Sequence, residues 1–198
     1  MQIEYEATFT KVNKNDVRRR LRHAGAKLIY PEFLQKRNVF LLPKEKDRRG
    51  HWLRVRQEAK KITLSLKAVI GQRLTDQKEI CLTVDNFEQA SELLKLIGCQ
   101  PKAYQESKRE LWKIAAVEIT IDEWPFLEPF VEIEGRSEKA IRNVARKLGF
   151  DYRQAMFGSV DYQYAAKYKI PLKKINRQTP LIVFKMKNPF LNRLMKNL

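Results

Sequence analysis

Two-residue alternation of apolar and charged side chains is the feature that most restricts the fold of this chain. In residues 117–135, Ile119 and Ile121 fall on one face of a strand, and Thr120 and Asp122 fall on the other. After the turn-like segment WPFLEP, a second strand repeats the pattern. A hairpin of these strands gathers three carboxylates on one side, those of Asp122, Glu132 and Glu134. Like charges this close repel one another, so the pattern indicates that a metal ion or a basic ligand-binding lining lies among them.

Further segments are predicted to be strands, because apolar and polar residues alternate or β-favouring residues dominate. They lie at residues 2–9, 36–42, 51–58, 61–69, 77–84 and 102–114. Helices are predicted where a capping residue precedes a helical apolar period, and several of them end at a glycine. They cover residues 13–25, 86–98, 137–149 and 160–168. Either Asn13 or Asn15 is expected to cap the first helix.

The number and order of these segments predict the class of the fold. Roughly eight strands joined mostly in hairpins, with three or four helices, favour an α+β domain built on an eight-stranded antiparallel β-barrel with flanking helices. An open sheet with its polar face in solvent is the alternative that the pattern leaves open. In the barrel the charged faces converge and line a tunnel. The charged residues on these faces are Glu4, Glu6, Arg54, Arg56, Lys67, Glu79, Arg109, Asp122, Glu132 and Glu134.

The charge balance restricts the partners of the chain. The sequence has 40 Lys and Arg against 23 Asp and Glu, a formal net charge of +17, and 43% of its residues are hydrophobic. The hydrophobic content is typical of a globular fold, and the charge predicts an anionic partner such as nucleic acid, a phosphorylated metabolite or a membrane surface. Cys81 and Cys99 show no metal-ligand spacing, and no apolar run approaches the roughly 20 residues that cross a bilayer. We therefore expect a cytoplasmic protein in a reducing compartment.

The character of the chain changes after residue 170. Residues 171–198 contain basic residues and no acidic one, and they include the short apolar run LIVF. We predict a tunnel domain at residues 1–170 and a basic C-terminal arm at residues 171–198. The LIVF run is expected to pack on the barrel, and residues 188–198 are expected to form a short amphipathic helix for a partner or an anionic surface. A partly ordered tail that adds solubility is the alternative.

Five short motifs follow one another along the predicted strands. They are EYEAT at 4–8, LRVR at 53–56, LSLK at 64–67, KR at 108–109, and the pair IDE and VEIE at 121–123 and 131–134. Together they resemble the ExExK, LRxR, LxxK, basic and closing acidic strands of the CYTH superfamily. These triphosphate tunnel metalloenzymes include class IV adenylyl cyclases, thiamine triphosphatases and inorganic tripolyphosphatases. Each motif alone is weak, but their order and spacing over residues 1–168 make the match specific.

The resemblance implies a site for a triphosphate-containing small molecule or nucleotide. It implies Mg²⁺ or Mn²⁺ as the cofactor, since these hard ions prefer oxygen ligands and can bridge carboxylates to phosphate. The implied metal ligands are Glu4, Glu6, Asp122, Glu132 and Glu134. The implied substrate-binding residues, which donate charge-assisted hydrogen bonds to phosphate oxygens, are Arg54, Arg56, Lys67 and Arg109. The implied catalytic residues are Glu4, Glu6 and Lys67.

The chain departs from the family pattern at positions that bear on catalysis. Thr8 stands where the ExExK motif has a lysine, and Ser107 stands where the family's later KxR pattern has another. Residues 36–42 also lack the tyrosine and aspartate that many relatives carry in that strand. The loss of a cation is expected to lower affinity or turnover unless Arg37 or another base compensates.

Four other residues on the polar faces have two interpretations each. Glu79 is either a further metal ligand or the partner of Arg56. Trp52 and Trp124 are expected at a tunnel mouth, where a base could stack, or in the core or rim. Cys81 shares the strand face of Glu79, so it either faces the tunnel or fills a small space in the packing.

Three functions are compatible with these residues. Metal-dependent hydrolysis of an inorganic or small organic triphosphate is the first prediction, because hydrolysis is the broadest activity of the family. A class IV adenylyl cyclase, which makes cyclic AMP from ATP, is the second. A non-catalytic module for polyphosphate, nucleotide or RNA is the third, favoured by Thr8 and by the excess of positive charge. Nucleic acid ranks last among the ligands, since no contiguous basic stripe with interleaved aromatics is evident, and a homodimer is left open.

Overall fold

A single sheet organises the chain, and the computed structural model describes residues 1–191. Its ten strands are β1 (Gln2–Ile3), β2 (Tyr5–Phe9), β3 (Lys27–Leu41), β4 (His51–Gln57), β5 (Ile62–Val69), β6 (Gln77–Val84), β7 (Gln100–Ile114), β8 (Val117–Glu123), β9 (Phe130–Gly135) and β10 (Leu181–Ile182). Nine of them follow the order β1-β6-β5-β4-β3-β7-β8-β9-β2, in which neighbouring strands are antiparallel. The tenth, β10, lies off this path and pairs with β7 in parallel.

The N-terminal strand closes the sheet into a nearly complete barrel. β1 and β2 are adjacent in the chain but lie at opposite ends of the strand order, so residues 2–9 join the two edges. Gln2 pairs with Glu79 on one edge, and the strand resumes after Glu4 to pair with β9 on the other. The predicted α+β barrel is therefore confirmed. Its path has nine strands instead of eight because the N-terminal strand is interrupted at Glu4.

Five helices cover parts of the barrel: α1 (Lys14–His23), α2 (Phe87–Leu96), α3 (Glu138–Lys147), α4 (Asp161–Tyr168) and α5 (Leu172–Gln178). The predicted caps are present for three of them, because a side-chain oxygen accepts from backbone N–H groups of the first turn. These capping residues are Asn13, Asn86 and Ser137. Within the described part of the chain, no helix has the length and apolar character needed to cross a membrane.

The strand β3 begins earlier than the sequence pattern predicts. A strand was predicted at residues 36–42, but β3 starts at Lys27 and pairs with β7 over most of its length. The sequence signal is weak there because Pro31 lacks an N–H donor, and the register shifts between Leu28 and Tyr30 and again before Phe33. Irregular pairing with a partner some 70 residues away in sequence leaves little local pattern, as the contact of Gln35 with Ser107 at a separation of 72 illustrates.

The hydrophobic core lies on the outer side of the barrel, under the helices. α1 and α3 pack on β2, β8 and β9 through a cluster that includes Leu21, Ile119, Ile133 and Ile141, each fully buried. α2 packs on the opposite wall against β4, with Val55 in its contact cluster. Each such side chain contributes about 1.5–3 kcal/mol relative to an exposed position. Because the apolar faces of the strands are used outside, the inner faces are left to polar residues.

The C-terminal segment covers one end of the barrel. Residues from α4, α5 and the following chain form a third buried cluster with residues that flank the β8–β9 turn: Trp124, Phe130, Tyr164, Ile175, Ile182 and Phe190. The Tyr164 hydroxyl donates to the Pro125 carbonyl at 2.7 Å. The segment predicted as an appended arm thus contributes α5, β10 and core residues to this end. Most of the helix predicted at residues 188–198 lies outside the described residues.

Candidate active site in the barrel interior

The charged faces of the strands converge inside the barrel. Lys67 of β5 reaches Glu4 at the interrupted N-terminal strand, and Arg109 of β7 reaches Glu132 of β9. Lys67 and Glu134 lie on strands near opposite ends of the strand order, yet Glu4 contacts Lys67 and also lies in one cluster with Glu134. The charged side chains therefore face one interior, and the alternative of an open sheet with its polar face in solvent is wrong. The structure brings together all nine predicted site residues: Glu4, Glu6, Arg54, Arg56, Lys67, Arg109, Asp122, Glu132 and Glu134.

Three of the predicted metal ligands form one carboxylate cluster. Oxygens of Glu4, Glu6 and Glu134 all lie within 4.8 Å of one another, and Glu6 is directly opposite Glu134 in the β2–β9 pairing. Burial, together with the charges of Glu132 and Glu4, raises the pKa of Glu6 well above its ordinary value. Burial and the charge of Glu4 raise the pKa of Glu134 to about 7. Crowded oxygen donors of this kind fit a hard divalent cation, because its charge removes their repulsion.

Two cationic side chains lie beside this carboxylate cluster. Lys67 Nζ is 2.8 Å from Glu4 Oε2 and 3.9 Å from Glu79 Oε2. Arg54 Nη2 is 3.1 Å from Glu79 Oε1. Burial alone would raise the pKa of Glu79, but the charges of Lys67 and Arg54 lower it to about 2. Glu79 is therefore a carboxylate held ionised between two cations.

The other two predicted metal ligands are held by an arginine. Arg109 donates from Nε to Asp122 Oδ1 at 2.7 Å and from Nη2 to Asp122 Oδ2 at 2.9 Å, in a bidentate pair. Its Nη2 also donates to Glu132 Oε2 at 2.5 Å. The Asp122 side chain has no exposed surface. The five predicted metal ligands thus divide into a cluster of three and a pair that neutralises Arg109.

The partner of Arg56 differs from the prediction. Arg56 donates to Glu58 Oε1 from Nε at 3.1 Å and from Nη2 at 2.8 Å, whereas Glu79 pairs with Arg54 and Lys67. The interpretation of Glu79 as the partner of Arg56 is wrong, because Glu58 follows Arg56 by two residues on the same face and is nearer. Sequence reasoning missed Glu58, although this two-residue spacing could have identified it.

Comparison with known proteins adds independent support for the fold. The family model described as CYTH domain matches residues 2–162, which is most of the chain. The chain belongs to the CYTH family. No curated protein matches it at a significant level.

Solved structures with the same fold come from archaea, bacteria and plants. The PH1012 protein of Pyrococcus horikoshii OT3 is 26% identical to this chain. The match covers 77% of this chain and 93% of the PH1012 protein, with a TM-score of 0.62. A candidate adenylate cyclase from Vibrio parahaemolyticus is 12% identical. The match covers 81% of this chain and 97% of the Vibrio protein, with a TM-score of 0.66. A candidate adenylyl cyclase from Hippeastrum with a dominant triphosphatase activity is 10% identical. The match covers 86% of this chain and 99% of the Hippeastrum protein, with a TM-score of 0.51. At the lower identities, the likeness shows the fold alone.

The two ends of the barrel in this CYTH domain differ. A cavity of about 490 Å³ opens beside the carboxylate cluster, and its lining includes Glu4, Glu79, Cys81 and Glu134. Cys81 is exposed there, so it faces the cavity instead of filling a space in the core. The other end is covered by the C-terminal cluster, in which Trp124 is only 5% exposed. Of the two positions expected for Trp124, the core position is the observed one.

Near the covered end, three interior side chains form a hydrogen-bonded cluster: Arg37, Gln35 and Ser107. The sequence analysis identified this cluster only in part. Arg37 is one of the bases that the sequence offers as a substitute for the missing lysine at position 8, and it lies inside the CYTH barrel at 5% exposure. Its Nη2 donates to Gln35 Oε1 at 2.8 Å and also to the Ser107 hydroxyl. Gln35 was missed as an interior residue. It precedes Arg37 by two positions, so the strand parity again contained the signal.

Proposed function

We propose that this CYTH domain binds a triphosphate inside the barrel and hydrolyses it with the help of Mg²⁺ or Mn²⁺. The observation that carries the proposal is the placement of a carboxylate cluster and of arginine and lysine side chains around one interior. The cluster consists of Glu4, Glu6 and Glu134. A triphosphate with its metal ions needs both sets of side chains at once, since cations bind its oxygens and carboxylates bind the metal.

The cationic side chains are positioned to bind phosphate oxygens by exchange of partners. Arg54, Lys67 and Arg109 are each paired with one or two interior carboxylates. These carboxylates neutralise the cations and orient them toward the interior before substrate binds. When phosphate oxygens enter, the arginines offer forked donors and the lysine a single positive charge, so negative charge that develops on the phosphoryl group is stabilised.

The carboxylates of the site have the complementary role. The divalent cation would be held by Glu4, Glu6 and Glu134. Asp122 and Glu132 would become available as further ligands once Arg109 leaves them to bind the substrate. When bound, such a cation would supply positive charge that offsets the negative charge of the carboxylates and of the phosphate oxygens. The raised pKa values of Glu6 and Glu134 agree with this role, since a divalent cation would supply the positive charge that offsets the repulsion between these carboxylates.

The triphosphatase activity of the Hippeastrum relative supports hydrolysis as the reaction. The experiment that tests it incubates the chain with tripolyphosphate or ATP and with Mg²⁺ or Mn²⁺, and measures orthophosphate and cyclic AMP. We expect metal-dependent release of orthophosphate that falls on the order of 100-fold in Glu6→Gln. The control Glu138→Gln removes a carboxylate from the outer surface of α3 and is expected to leave the rate unchanged.

Other outcomes of the same assay contradict the proposal. Cyclic AMP as the main product from ATP would identify a cyclase. Binding of tripolyphosphate without any product would identify a binding module. A Glu6→Gln rate equal to that of the parent chain would remove the carboxylate cluster from the reaction.

A further inference from the structure

One cation of the barrel interior differs from the others in its partners. Arg54, Arg56, Lys67 and Arg109 each form an ion pair with a carboxylate. Among the ion pairs of residues 1–191, none includes Arg37. The partners of Arg37 are the side-chain oxygens of two neutral residues, Gln35 and Ser107. This arginine therefore brings a positive charge into the interior that the protein itself does not neutralise.

The surroundings of Arg37 make this charge costly. The residue is 5% exposed, while Gln35 and Ser107 have no exposed surface. Burial, followed by repulsion from Arg56 and Arg54, lowers the pKa of Arg37 well below its ordinary value. A buried charge without a counter-charge destabilises a fold, and buried charges are usually paired. A ligand that supplies the opposite charge would remove this cost.

Two buried donors at this position also have no partner. Arg37 Nε and Gln35 Nε2 are both enclosed and neither donates to a protein acceptor. Both atoms are nitrogen donors beside a positive charge, which is the chemistry that recognises an oxyanion. Buried polar groups are nearly always satisfied, so two unsatisfied donors on adjacent side chains of one wall indicate an external acceptor.

The group lies toward the covered end of the barrel. The Arg37 guanidinium carbon lies 4.3 Å from the centroid of the Trp124 ring, and Trp124 packs edge-on against Tyr164 with centroids 6.5 Å apart. Phe130 and Phe190 belong to the same buried cluster. Arg37 therefore lies beside the covered end, whereas the cavity opens beside the carboxylate cluster.

From these observations we infer that Arg37, Gln35 and Ser107 form an anion subsite that takes the terminal phosphate group of the bound triphosphate. The identity of the ligand rests on the proposed function, whereas the subsite itself rests on the unpartnered donors. Arg37 supplies a positive charge in a barrel where Thr8 and Ser107 have none. The triphosphate lies with its terminal phosphate toward Trp124, and any organic substituent stays at the open cavity.

The experiment measures the binding of tripolyphosphate and of orthophosphate by calorimetry at fixed salt, in metal-free protein and with Mg²⁺. The test variant is Arg37→Gln, and Arg37→Lys retains the charge without the fork. The control is Arg142→Gln, which removes the same charge from an arginine that also lies 4.3 Å from an aromatic ring centroid, that of Tyr152, on the outside of the protein. Thermal denaturation of the ligand-free variants and Mn²⁺ binding are measured in parallel.

We expect Arg37→Gln to weaken tripolyphosphate binding about 10- to 100-fold relative to the parent chain. The affinity of Arg37→Lys should lie between those of the parent chain and Arg37→Gln. Arg142→Gln is expected to bind as the parent chain does. The ligand-free Arg37→Gln protein should be at least as stable as the parent and still bind Mn²⁺, because a ligand-binding cation without a counter-charge is removed. A structural role for Arg37 predicts the opposite, a lower melting temperature.

The outcomes separate the subsite from the proposed function. If Arg37→Gln binds both anions as tightly as the parent chain, the subsite is overturned and the proposed function stands. If the parent binds orthophosphate through Arg37 but does not bind tripolyphosphate, the subsite stands and the proposed function fails. If the parent binds neither anion, both are overturned. Should Arg37→Gln not fold, Arg37→Lys with unchanged affinity and stability would overturn the role of the guanidinium.

Discussion

Lys67 Nζ lies 2.8 Å from Glu4 Oε2, and this ion pair spans the point where the barrel closes. Glu4 sits at the interruption between β1 and β2, and its backbone N–H donates to the Gln77 carbonyl at 3.0 Å. The two side chains are only 9% and 10% exposed, with Glu4 the lower of the two. The same pair therefore anchors the interrupted N-terminal strand to β5 and positions one carboxylate of the proposed metal cluster.

The first prediction concerns the stability of this closure. Lys67→Met is expected to lower the free energy of unfolding by about 1–3 kcal/mol, because it leaves the Glu4 carboxylate enclosed without its cation. The double variant Glu4→Gln/Lys67→Met removes both charges and is expected to recover most of the loss. Urea denaturation of the metal-free proteins measures both values. Strictly additive losses in the double variant would show that the two side chains do not interact.

The second prediction concerns the pH dependence of the metal-free protein. Burial and Glu4 raise the pKa of Glu134 from 4.5 to about 7, so the folded state holds a proton there that the unfolded chain has already released. Between these two values the folded state binds more protons, and stability therefore falls as pH rises. Because Glu134 is exposed and lines the cavity, solvent screening reduces this effect, and we expect a contribution of only about 1 kcal/mol.

Glu134→Gln tests this prediction directly. With a chelator present, the variant is expected to lose less stability than the parent chain between about pH 5 and about pH 8. It should also bind Mn²⁺ more weakly, since it removes one oxygen anion from the cluster. Urea denaturation and Mn²⁺ titration are the two measurements. A Glu134→Gln protein with the parent's pH dependence and Mn²⁺ affinity would contradict the assignment of Glu134 to a crowded carboxylate cluster.

Much of the site could be predicted because strand parity is a local property. Glu132 and Glu134 had to share a face whatever the strand paired with, and the same holds for Arg54 and Arg56. The helix caps were also local, since Asn13 needs only the two N–H groups that follow it in the chain. The family motifs then ordered these faces around one barrel.

The pairing of charges inside the barrel could not be predicted in the same way. Whether Glu79 meets Arg54 or Arg56 depends on the register and tilt of three strands, and neither is encoded in a single segment. The covered end is a second example. Phe190 and Trp124 are far apart in sequence, and only tertiary packing brings them into one cluster. The early start of β3 likewise depends on its pairing with β7.

The third prediction concerns the covered end and the segment after residue 170. Phe190 is 3% exposed, and its ring lies 4.8 Å from that of Tyr164. Phe190→Ala is expected to cost about 3–5 kcal/mol of stability, because it leaves a cavity in the aromatic cluster. The neighbouring Leu191, at 66% exposure, provides the control Leu191→Ala, for which we expect almost no change.

Removal of residues 171–198 extends this test to the predicted domain boundary. The truncated chain loses Ile175, Ile182 and Phe190 from the cluster, so Trp124 should become accessible to water and to a soluble quencher. Indole fluorescence measures the change in a protein in which Trp52 is replaced by Phe, so that emission comes from Trp124 and from the buried Trp112. A truncated chain with unchanged emission and stability would show that residues 1–170 form the domain alone.

The fourth prediction restores the motif lysine. Thr8 is 4% exposed and lies directly opposite Glu132 in the β2–β9 pairing, so a lysine at this position can reach the Glu132 carboxylate. Arg109 now neutralises Glu132 as well as Asp122, and the new cation would take over part of that role. Thr8→Lys is therefore expected to tighten tripolyphosphate binding several-fold, because the new ammonium group is a further donor and Arg109 becomes freer to donate to the substrate.

Calorimetry with tripolyphosphate measures the effect of Thr8→Lys against a variant that adds the same charge elsewhere. Asn143→Lys places a lysine on the exposed face of α3 and serves as this control. A gain confined to Thr8→Lys shows that the added charge acts inside the barrel, whereas an equal gain in both variants shows long-range attraction only. The distinction is sharpest at high salt, because screening removes the contribution of the outer lysine and leaves most of the contribution of an enclosed one.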